Sequence, residues 1–281
     1  MQTILLADAG ASKTDWSLIE KGSGVIMRVK TEGINPLHLS TEKIEKILND
    51  LKNSVDGKKI DIIRFFGAGC NLPEINQQLE DLFSQIFQTE DVTIASDMQA
   101  AALALFQDKK GVACILGTGS NTCYYDKGKI ISQIPSLGYI LGDEGSGVAL
   151  GKRLLNAIFK KQLSDKIADS FYKQYDISLN LLIDKVYRDG SPAAFIASFS
   201  PFILQHIREN EIYKLAYDEF SLFFERNVLP YPLHQRKVVG LSGSVAFHYA
   251  DIIRKVADEK DIVISDIIEG PMKSLENYYS K

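Results

Sequence analysis

Two turns of small and hydroxyl-bearing residues each follow an apolar run and could bind phosphate. The first, residues 8–14, reads DAGASKT, and the second, residues 117–121, reads GTGSN. Small residues let backbone N–H groups approach a phosphate closely, and an aspartate at a strand end, here Asp8, can hold Mg²⁺, usually through water. Either turn alone is equally typical of a plain β-hairpin. Their matching positions in two halves of the chain favour a nucleotide site, which needs a phosphate contact from each half.

Asp97 stands where a strand-like run gives way to a helical run rich in alanine and leucine. An aspartate at such a junction is commonly the N-cap of the helix, and the local sequence favours that interpretation. The functional alternative is a carboxylate base that accepts a proton from a substrate hydroxyl.

Two adjacent carboxylates, Asp143 and Glu144, lie among glycines in residues 138–147, GYILGDEGSG. Acidic residues at a helix start complement the helix dipole, which is the structural interpretation. The density of turn-permissive residues favours instead a backbone shaped around a ligand. A weaker segment, residues 240–245 (GLSGSV), follows a strand and precedes a helix, as would suit packing against a nucleotide base or ribose.

The elements that must position these segments form two similar series. In the first series, hydrophobic periodicity and residue composition predict strands at 3–6, 15–19, 25–29, 60–66 and 92–95. They predict helices around 44–55, 75–86 and 98–106. In the second, they predict strands at 112–116, 122–125, 129–133, 238–241 and 262–264, a helical insert at about 147–228, and helices at 245–256 and 272–279. A charged break at 108–110 separates the series, so we expect domains at 1–109 and 110–281.

Composition excludes several classes of protein. The 281 residues are 45% hydrophobic and carry a formal charge of −4, so the basic surface of a nucleic-acid-binding protein is not expected. No uncharged run is apolar enough to span a membrane, and the N-terminus does not resemble a secretory signal. The three cysteines show no CxxC spacing and the four histidines no HxxxH pair. We therefore expect a cytoplasmic protein without disulfides.

The five segments together, in this order, resemble the N-acetylglucosamine kinase and BadF/BadG/BcrA/BcrD-type ATPase family. The motifs that carry the resemblance are GDEGSG with GTGSN and, in addition, DxGxSKTDW. The resemblance covers nearly the whole chain and implies the actin-like ATPase, sugar kinase superfamily. The implied fold is α/β, with two ribonuclease-H-like domains of mixed sheets and an active-site cleft between them. The last helix could pack back on the N-terminal domain.

The resemblance also implies roles for individual residues. It makes Asp97 the base toward the sugar hydroxyl, while Asp8 orders the hydration shell of Mg²⁺. The implied ATP and phosphate contacts are Asp8, Gly10, Ser12, Lys13, Thr14, Gly117, Thr118 and Gly119, with Gly243, Ser244 and Val245 at the adenosine. The implied sugar contacts are Asn35, Ser120, Asn121 and Asp143.

The sequence departs from the family pattern at two places. Ala9 and Ala11 flank Gly10 where family members commonly have a glycine triplet. Residues 135–137 read PSL where many members have Gly-Gly-Trp. The second departure removes an aromatic ring near the sugar and leaves the sugar's identity open.

We therefore expect an ATP-dependent sugar kinase acting on N-acetylglucosamine or a related amino sugar, with ATP and Mg²⁺ and with no nucleic-acid or membrane partner. The helical insert could supply a homodimer surface. An ATPase activator of a 2-hydroxyacyl dehydratase is an alternative, but the only cysteine in a loop-like place is Cys70, and one thiolate per chain cannot hold an iron–sulfur cluster in a dimer. A non-catalytic sugar or nucleotide sensor is the third hypothesis, and the presence of Asp97 argues against it.

Overall fold

The computed structural model describes residues 2–10, 13–55, 57–188 and 190–281. The chain divides into two compact units, and neither unit is one continuous segment. Unit 1 consists of Met1–Asp108, Lys127–Lys129 and Gly270–Lys281. Unit 2 consists of Lys109–Asp126 and Ile130–Glu269.

Unit 1 contains a mixed five-stranded sheet with the strand order β3-β2-β1-β4-β5. Its elements are β1 (Thr3–Ala9), β2 (Lys13–Glu20), β3 (Gly24–Glu32), α1 (Thr41–Ser54), β4 (Ile62–Gly67), α2 (Pro73–Phe87), β5 (Asp91–Ser96) and α3 (Asp97–Phe106). Strands β1, β2 and β3 pair antiparallel, whereas β1, β4 and β5 are parallel. The apolar run of β1 is continuous because the middle of the strand is buried on both faces.

Helices and aromatic rings close the core of unit 1. Helix α1 buries Ile44, Ile47, Leu48 and Leu51, which recur at helical spacing. Beneath the sheet, the rings of Trp16, Phe65 and Phe83 have centroids 5.3–6.2 Å apart. These contacts fix the sheet whose strand ends carry Asp8 and Asp97.

Unit 2 repeats the same sheet topology with the order β10-β9-β6-β7-β8. Its elements are β6 (Lys110–Leu116), β7 (Ser120–Asp126), β8 (Lys129–Ile134), α4 (Gly138–Leu141), α5 (Gly147–Phe159), α6 (Asp165–Gln174), α7 (Leu179–Tyr187), α8 (Pro192–Ala197), α9 (Ser200–Gln205), α10 (Asn210–Phe223), a π-helical turn (Phe224–Val228), β9 (Val238–Ser242), α11 (Ser244–His248), α12 (Ala250–Asp258) and β10 (Val263–Ile268). The predicted repeat and the α/β class with two mixed sheets are confirmed.

The helical insert begins and ends where the sequence predicts, at the start of α5 and the end of the π-helical turn. Its core is aromatic: Phe171, Phe199, Phe202 and Phe220 are buried. The ring of Phe171 meets that of Phe202 edge-on at 5.3 Å. This packing places the small residues at the α8–α9 junction beside the GTGSN turn.

Three elements differ from the sequence-based expectation. The single helix expected over 245–256 is two helices, because Tyr249 has φ −104° and ψ 18° and its hydroxyl donates to the Ser200 carbonyl at 2.7 Å. The expected strand 262–264 runs on to Ile268, since it pairs in parallel with β9. Helix α4 was not expected; it follows Leu137, which has φ +60°.

The last helix, α13 (Met272–Tyr279), packs in unit 1 against α3 and strands β1–β3. Its buried Glu276 accepts hydrogen bonds from the Ser17 hydroxyl at 2.5 Å and from Arg28 at 2.8 and 2.9 Å.

Among the described residues, no helix combines the length and apolar character needed to cross a membrane.

Candidate active site

The sheet of unit 1 brings Asp8 and Asp97 to one edge. Asp8 lies near the carboxyl end of β1, and Asp97 directly follows β5. Strands β1, β4 and β5 are parallel and in register, with Asp8 beside Phe66 and Gly67 beside Ser96. Carboxyl ends of parallel strands are the usual place for ligands in α/β folds.

Asp97 is not the N-cap of α3. The cap is Ser96, whose hydroxyl oxygen accepts from the Gln99 N–H at 3.2 Å. The interpretation of Asp97 as a helix cap, which the local sequence favours, is therefore wrong. The Asp97 carboxylate accepts from the Met98 N–H at 2.8 Å. Burial raises the pKa of Asp97, although this hydrogen bond acts in the opposite direction.

Asp8 lies in an environment with excess negative charge. Burial raises the pKa of Asp8 to about 6, and the carboxylates of Asp97 and Asp15 act in the same direction. Lys13 lowers the same pKa but also forms an ion pair with Asp15 at 3.0 Å. A cation at this sheet edge would lower the electrostatic energy of the ionised carboxylates.

The DAGASKT turn is closed by the Gly10 N–H, which donates to the Lys13 carbonyl at 2.9 Å. Lys13 is exposed, whereas Thr14 is fully buried and its hydroxyl oxygen accepts from the Ile34 N–H at 3.1 Å. The side chain of Thr14 thus holds the segment that leads to Asn35. Ser12 lies outside the described residues.

Asn35 is half-buried in the turn after β3. Its side-chain oxygen accepts from the Leu37 N–H at 2.9 Å. Its backbone carbonyl accepts from the N–H groups of His38 and Leu39, each at 3.0 Å. These bonds fix the side chain and leave its NH₂ group as the part that can meet a ligand.

The GTGSN turn, in unit 2, is oriented by helix α5. The Gly117 and Thr118 carbonyls accept from the first N–H groups of α5, at 2.8 and 3.0 Å. Within the described part of the chain, the N–H groups of Thr118 and Gly119 donate to no acceptor. Two adjacent amides of this kind can bind a phosphate oxygen.

Asp143 is joined to the same turn. Its Oδ1 accepts from the Ser120 N–H at 3.2 Å, and a Cβ at Gly119 would lie 2.9 Å from its Oδ2. Asp143 is only 8% exposed. Burial raises its pKa, while the Ser120 hydrogen bond and Lys152 act the other way. The structure therefore brings together three predicted site residues, Gly119, Ser120 and Asp143.

Asn121, the fourth predicted site residue here, is half-buried in β7. Its side-chain oxygen accepts from the Thr122 N–H at 2.9 Å.

The GDEGSG segment is braced by residues that sequence reasoning missed. Glu219 of α10 is buried, accepts from the Gly145 N–H at 3.0 Å and forms an ion pair with Arg153 of α5. Glu144 accepts from Arg226 at 2.9 Å and from Asn227 at 3.2 Å. These partners lie in the helical insert, where the sequence shows only helical spacing and no motif.

A cavity of about 250 Å³ opens in unit 2 beside the GTGSN turn. Small side chains dominate its lining, which comprises Gly117, Thr118, Gly147, Ala194, Ala197, Ser198, Ser200, Ser244 and Val245. Four of these residues were predicted from the sequence to contact ATP: Gly117, Thr118, Ser244 and Val245. The serines and alanines of the α8–α9 region were missed, because only tertiary packing brings them here.

Gly243, also predicted at the adenosine, does not line the cavity. It has φ +121°, and a Cβ there would lie 2.3 Å from the Leu116 carbonyl oxygen. Gly243 therefore allows β9 to pass close to the end of β6.

The three cysteines lie in the interior of the units. Cys70, Cys114 and Cys123 are all buried, and burial raises the pKa of the Cys70 and Cys123 thiols to about 12. Among the described residues, no three histidine, cysteine, aspartate or glutamate side chains converge as metal ligands.

No model of a protein family matches the chain. A curated relative, the N-acetylmuramic acid/N-acetylglucosamine kinase of Clostridium acetobutylicum, is 26% identical over 259 residues, which cover 85% of this chain and 83% of that protein. The ROK family glucokinase of Streptomyces griseus, solved with glucose and AMPPNP, is 15% identical with a TM-score of 0.59 over 99% of this chain and 98% of that one, and it shares the fold.

A third similar protein is a solved structure from Porphyromonas gingivalis, described as a putative N-acetylglucosamine kinase. It is 36% identical, with a TM-score of 0.91, and the match covers 99% of this chain and 98% of that one. The prediction of a carbohydrate kinase is confirmed. By this identity over nearly its full length, the chain belongs to the N-acetylglucosamine kinase family.

Proposed function

We propose that this kinase transfers the γ-phosphoryl group of ATP to a hydroxyl of N-acetylglucosamine or a related amino sugar, as a member of the wider BadF/BadG/BcrA/BcrD-type ATPase group. One observation carries the proposal. The cavity of unit 2 joins the GTGSN turn to Ser244 and Val245, two segments predicted from sequence to bind phosphate and adenosine. The names of two relatives, which include N-acetylglucosamine, support the choice of sugar.

In this proposal, the nucleotide binds to unit 2. The free N–H groups of Thr118 and Gly119 donate to phosphate oxygens. The adenosine packs against the small residues of the cavity, where little side-chain volume stands in its way. A further phosphate contact comes from the turn of unit 1 that contains Gly10, Ser12 and Lys13. Lys13 adds positive charge.

Asp97 accepts the proton of the attacking hydroxyl. As the bond from the sugar oxygen to the γ-phosphorus forms, the bond to the ADP oxygen breaks, and the hydroxyl proton passes to the Asp97 carboxylate. The raised pKa of Asp97 supports this role, because a buried carboxylate binds a proton more tightly than an exposed one. Positioning and charge stabilisation supply most of the remaining rate enhancement.

The residues present fit a hydrated Mg²⁺ ion rather than a direct protein cage. Burial and then the carboxylates of Asp97 and Asp15 raise the pKa of Asp8, so a nearby cation would favour its ionised form, and the described residues offer no three converging ligands. Asp8 would therefore hold the ion through water. When bound to ATP, Mg²⁺ would partly neutralise the negative charge of the phosphates.

Four polar residues are proposed to bind the sugar: Asn35, Ser120, Asn121 and Asp143. The Ser120 N–H occupies one acceptor position of the Asp143 carboxylate, and the remaining positions can accept from sugar hydroxyls. The Asn35 NH₂ group can donate to a sugar oxygen.

A coupled ADP-release assay across amino sugars and neutral hexoses tests the proposal. At saturating MgATP, kcat/KM for N-acetylglucosamine should exceed that for glucose by at least about tenfold, the low end for an apolar recess that accommodates a methyl group. Equal kcat/KM values for the two sugars would contradict the amino-sugar assignment. They would still be consistent with a sugar kinase. Slow ATP hydrolysis without sugar turnover would favour the dehydratase-activator or sensor hypothesis.

We also propose that the insert forms a homodimer surface. All nine residues of α7 are described and none is fully buried, and Leu179, Leu181, Ile183 and Tyr187 are 40–80% exposed. Exposed apolar side chains grouped on one helix favour an interface with another molecule. A monomer in light scattering at micromolar concentration would contradict this proposal.

A further inference from the structure

Unit 2 contains a second, larger cavity that shares no lining residue with the first. Its volume is about 560 Å³. It lies where the start of α10 faces α12, and its lining consists of Ile207, Arg208, Asn210, Tyr213, Asp251, Ile252 and Lys255. Clefts of about 300–1,000 Å³ accommodate small molecules, so this one is large enough for more than an inorganic ion.

Two cations in this cavity, Arg208 and Lys255, have no anionic partner in the described part of the chain. Neither Arg208 nor Lys255 forms an ion pair with any other described residue, and Asp251 is likewise unpaired among them. Lys255 instead places its Nζ 5.3 Å from the centre of the Tyr213 ring.

Two other lysines of unit 2 do have carboxylate partners. Lys214 meets Asp218 at 2.7 Å, and Lys260 meets Glu225 at 2.7 Å. With Arg208 and Lys255 against Asp251, the cavity lining has a net charge of +1 at neutral pH.

The lining favours a phosphate ester over a bare anion. Guanidinium and ammonium groups are the usual partners of phosphate oxygens. Asn210 and Asp251 can exchange hydrogen bonds with hydroxyl groups, which a bare phosphate lacks. Tyr213 and Ile252 provide an apolar wall for the carbon skeleton. We propose that this cavity is a binding site for a phosphorylated sugar or polyol, separate from the site of phosphoryl transfer.

Isothermal titration calorimetry with glucose 6-phosphate tests the proposal. The protein is first saturated with a non-hydrolysable ATP analogue, so that the nucleotide cavity is occupied. We expect binding to persist, because the two cavities share no residue. The double variant Arg208→Gln/Lys255→Gln should bind at least about tenfold more weakly, since it loses two charged hydrogen-bond donors.

The matched control is Lys214→Gln/Arg254→Gln. It removes the same charge from exposed positions on α10 and α12 that do not line the cavity. Its Kd should stay within about twofold of wild type, the range expected when screened charges are lost outside the site. Because Arg208 and Lys255 are exposed, the test variant should fold normally, which circular dichroism checks.

The proposal fails if the test variant binds like wild type or if the control loses as much affinity. It also fails if inorganic phosphate binds as tightly as glucose 6-phosphate, or if unphosphorylated glucose loses as much affinity in the test variant, because the phosphate and the carbon skeleton must both contribute. The measurement needs no turnover, so its outcome is independent of whether the kinase acts on N-acetylglucosamine.

Discussion

The backbone N–H of Ser120 donates to Oδ1 of Asp143 at 3.2 Å across 23 residues of sequence. The bond ties the GTGSN turn to the GDEGSG segment inside unit 2. Gly119 permits it, because any larger residue would place a Cβ 2.9 Å from the other carboxylate oxygen. The two motifs are therefore parts of one structure, in which the proposed phosphate-binding and sugar-binding groups are adjacent.

Replacing Asp143 tests its proposed contact with the sugar. In Asp143→Ala, hydrogen-bond donors of the bound sugar lose a partly buried carboxylate. A charged hydrogen bond is worth about 1.5–3 kcal/mol, so KM for the sugar should rise roughly 10–150-fold. Steady-state kinetics with varied sugar measures this. An unchanged sugar KM would show that Asp143 serves only to hold the Ser120 turn.

Asp97→Asn should retain the fold and ATP binding but lose the proton acceptor. We expect kcat to fall by about 10²–10⁴-fold, the usual cost of losing a general base. ATP affinity, measured by calorimetry, should be unchanged. A wild-type kcat in this variant would remove Asp97 from the mechanism.

Ser96→Ala provides the matched control for Asp97→Asn. It removes the N-cap of α3 and should lower the free energy of unfolding by about 0.5–2 kcal/mol, while kcat stays within a few-fold of wild type. Urea denaturation and the ADP-release assay separate the two effects. A large loss of rate without loss of stability would reverse the roles assigned to these neighbours.

Asp8 should make the metal-free protein less stable as pH rises. Its pKa is raised from 3.8 to about 6 in the folded state, so folding favours the protonated form. The loss of folding free energy caused by ionised Asp8 is absent below about pH 4 and grows between pH 4 and 6. Above pH 6 it reaches up to about 3 kcal/mol, since each pKa unit corresponds to about 1.36 kcal/mol.

Asp8→Asn removes this penalty. Denaturation with EDTA present should show the variant more stable than wild type at pH 7, with the advantage lost at pH 4. An advantage that is the same at both pH values would show that ionisation of Asp8 is not its cause.

Glu219 should matter for stability although it lies outside every motif. Glu219→Ala leaves the Gly145 N–H and Arg153 without their acceptor, and we expect about 1–3 kcal/mol of destabilisation. Glu225→Ala is the control, since it breaks the Lys260 pair at a half-exposed carboxylate and should cost at most about 1 kcal/mol. Equal melting temperatures for the two variants would contradict the bracing role.

The sequence predicts the two sheets and the bounds of the insert because burial on both faces and helical spacing are local patterns. It misses the break at Tyr249, whose hydroxyl donates to Ser200, 49 residues away. The Glu219 brace and the serines of the cavity beside the GTGSN turn were also missed, because tertiary contacts place them. Serine and aspartate are both common N-cap residues, so the sequence cannot tell whether Ser96 or Asp97 caps α3. The hydrogen bond from the Gln99 N–H to the Ser96 hydroxyl decides it.

The return of α13 to unit 1 has a consequence for biosynthesis. Glu276, which satisfies Ser17 and Arg28, is synthesised only after the last segment of unit 2. Unit 1 therefore cannot complete its core until unit 2 has been synthesised, although its first 108 residues emerge early. A premature stop codon before Gly270 would leave those residues with an uncovered apolar surface, a substrate for chaperones and proteases rather than a free-standing domain.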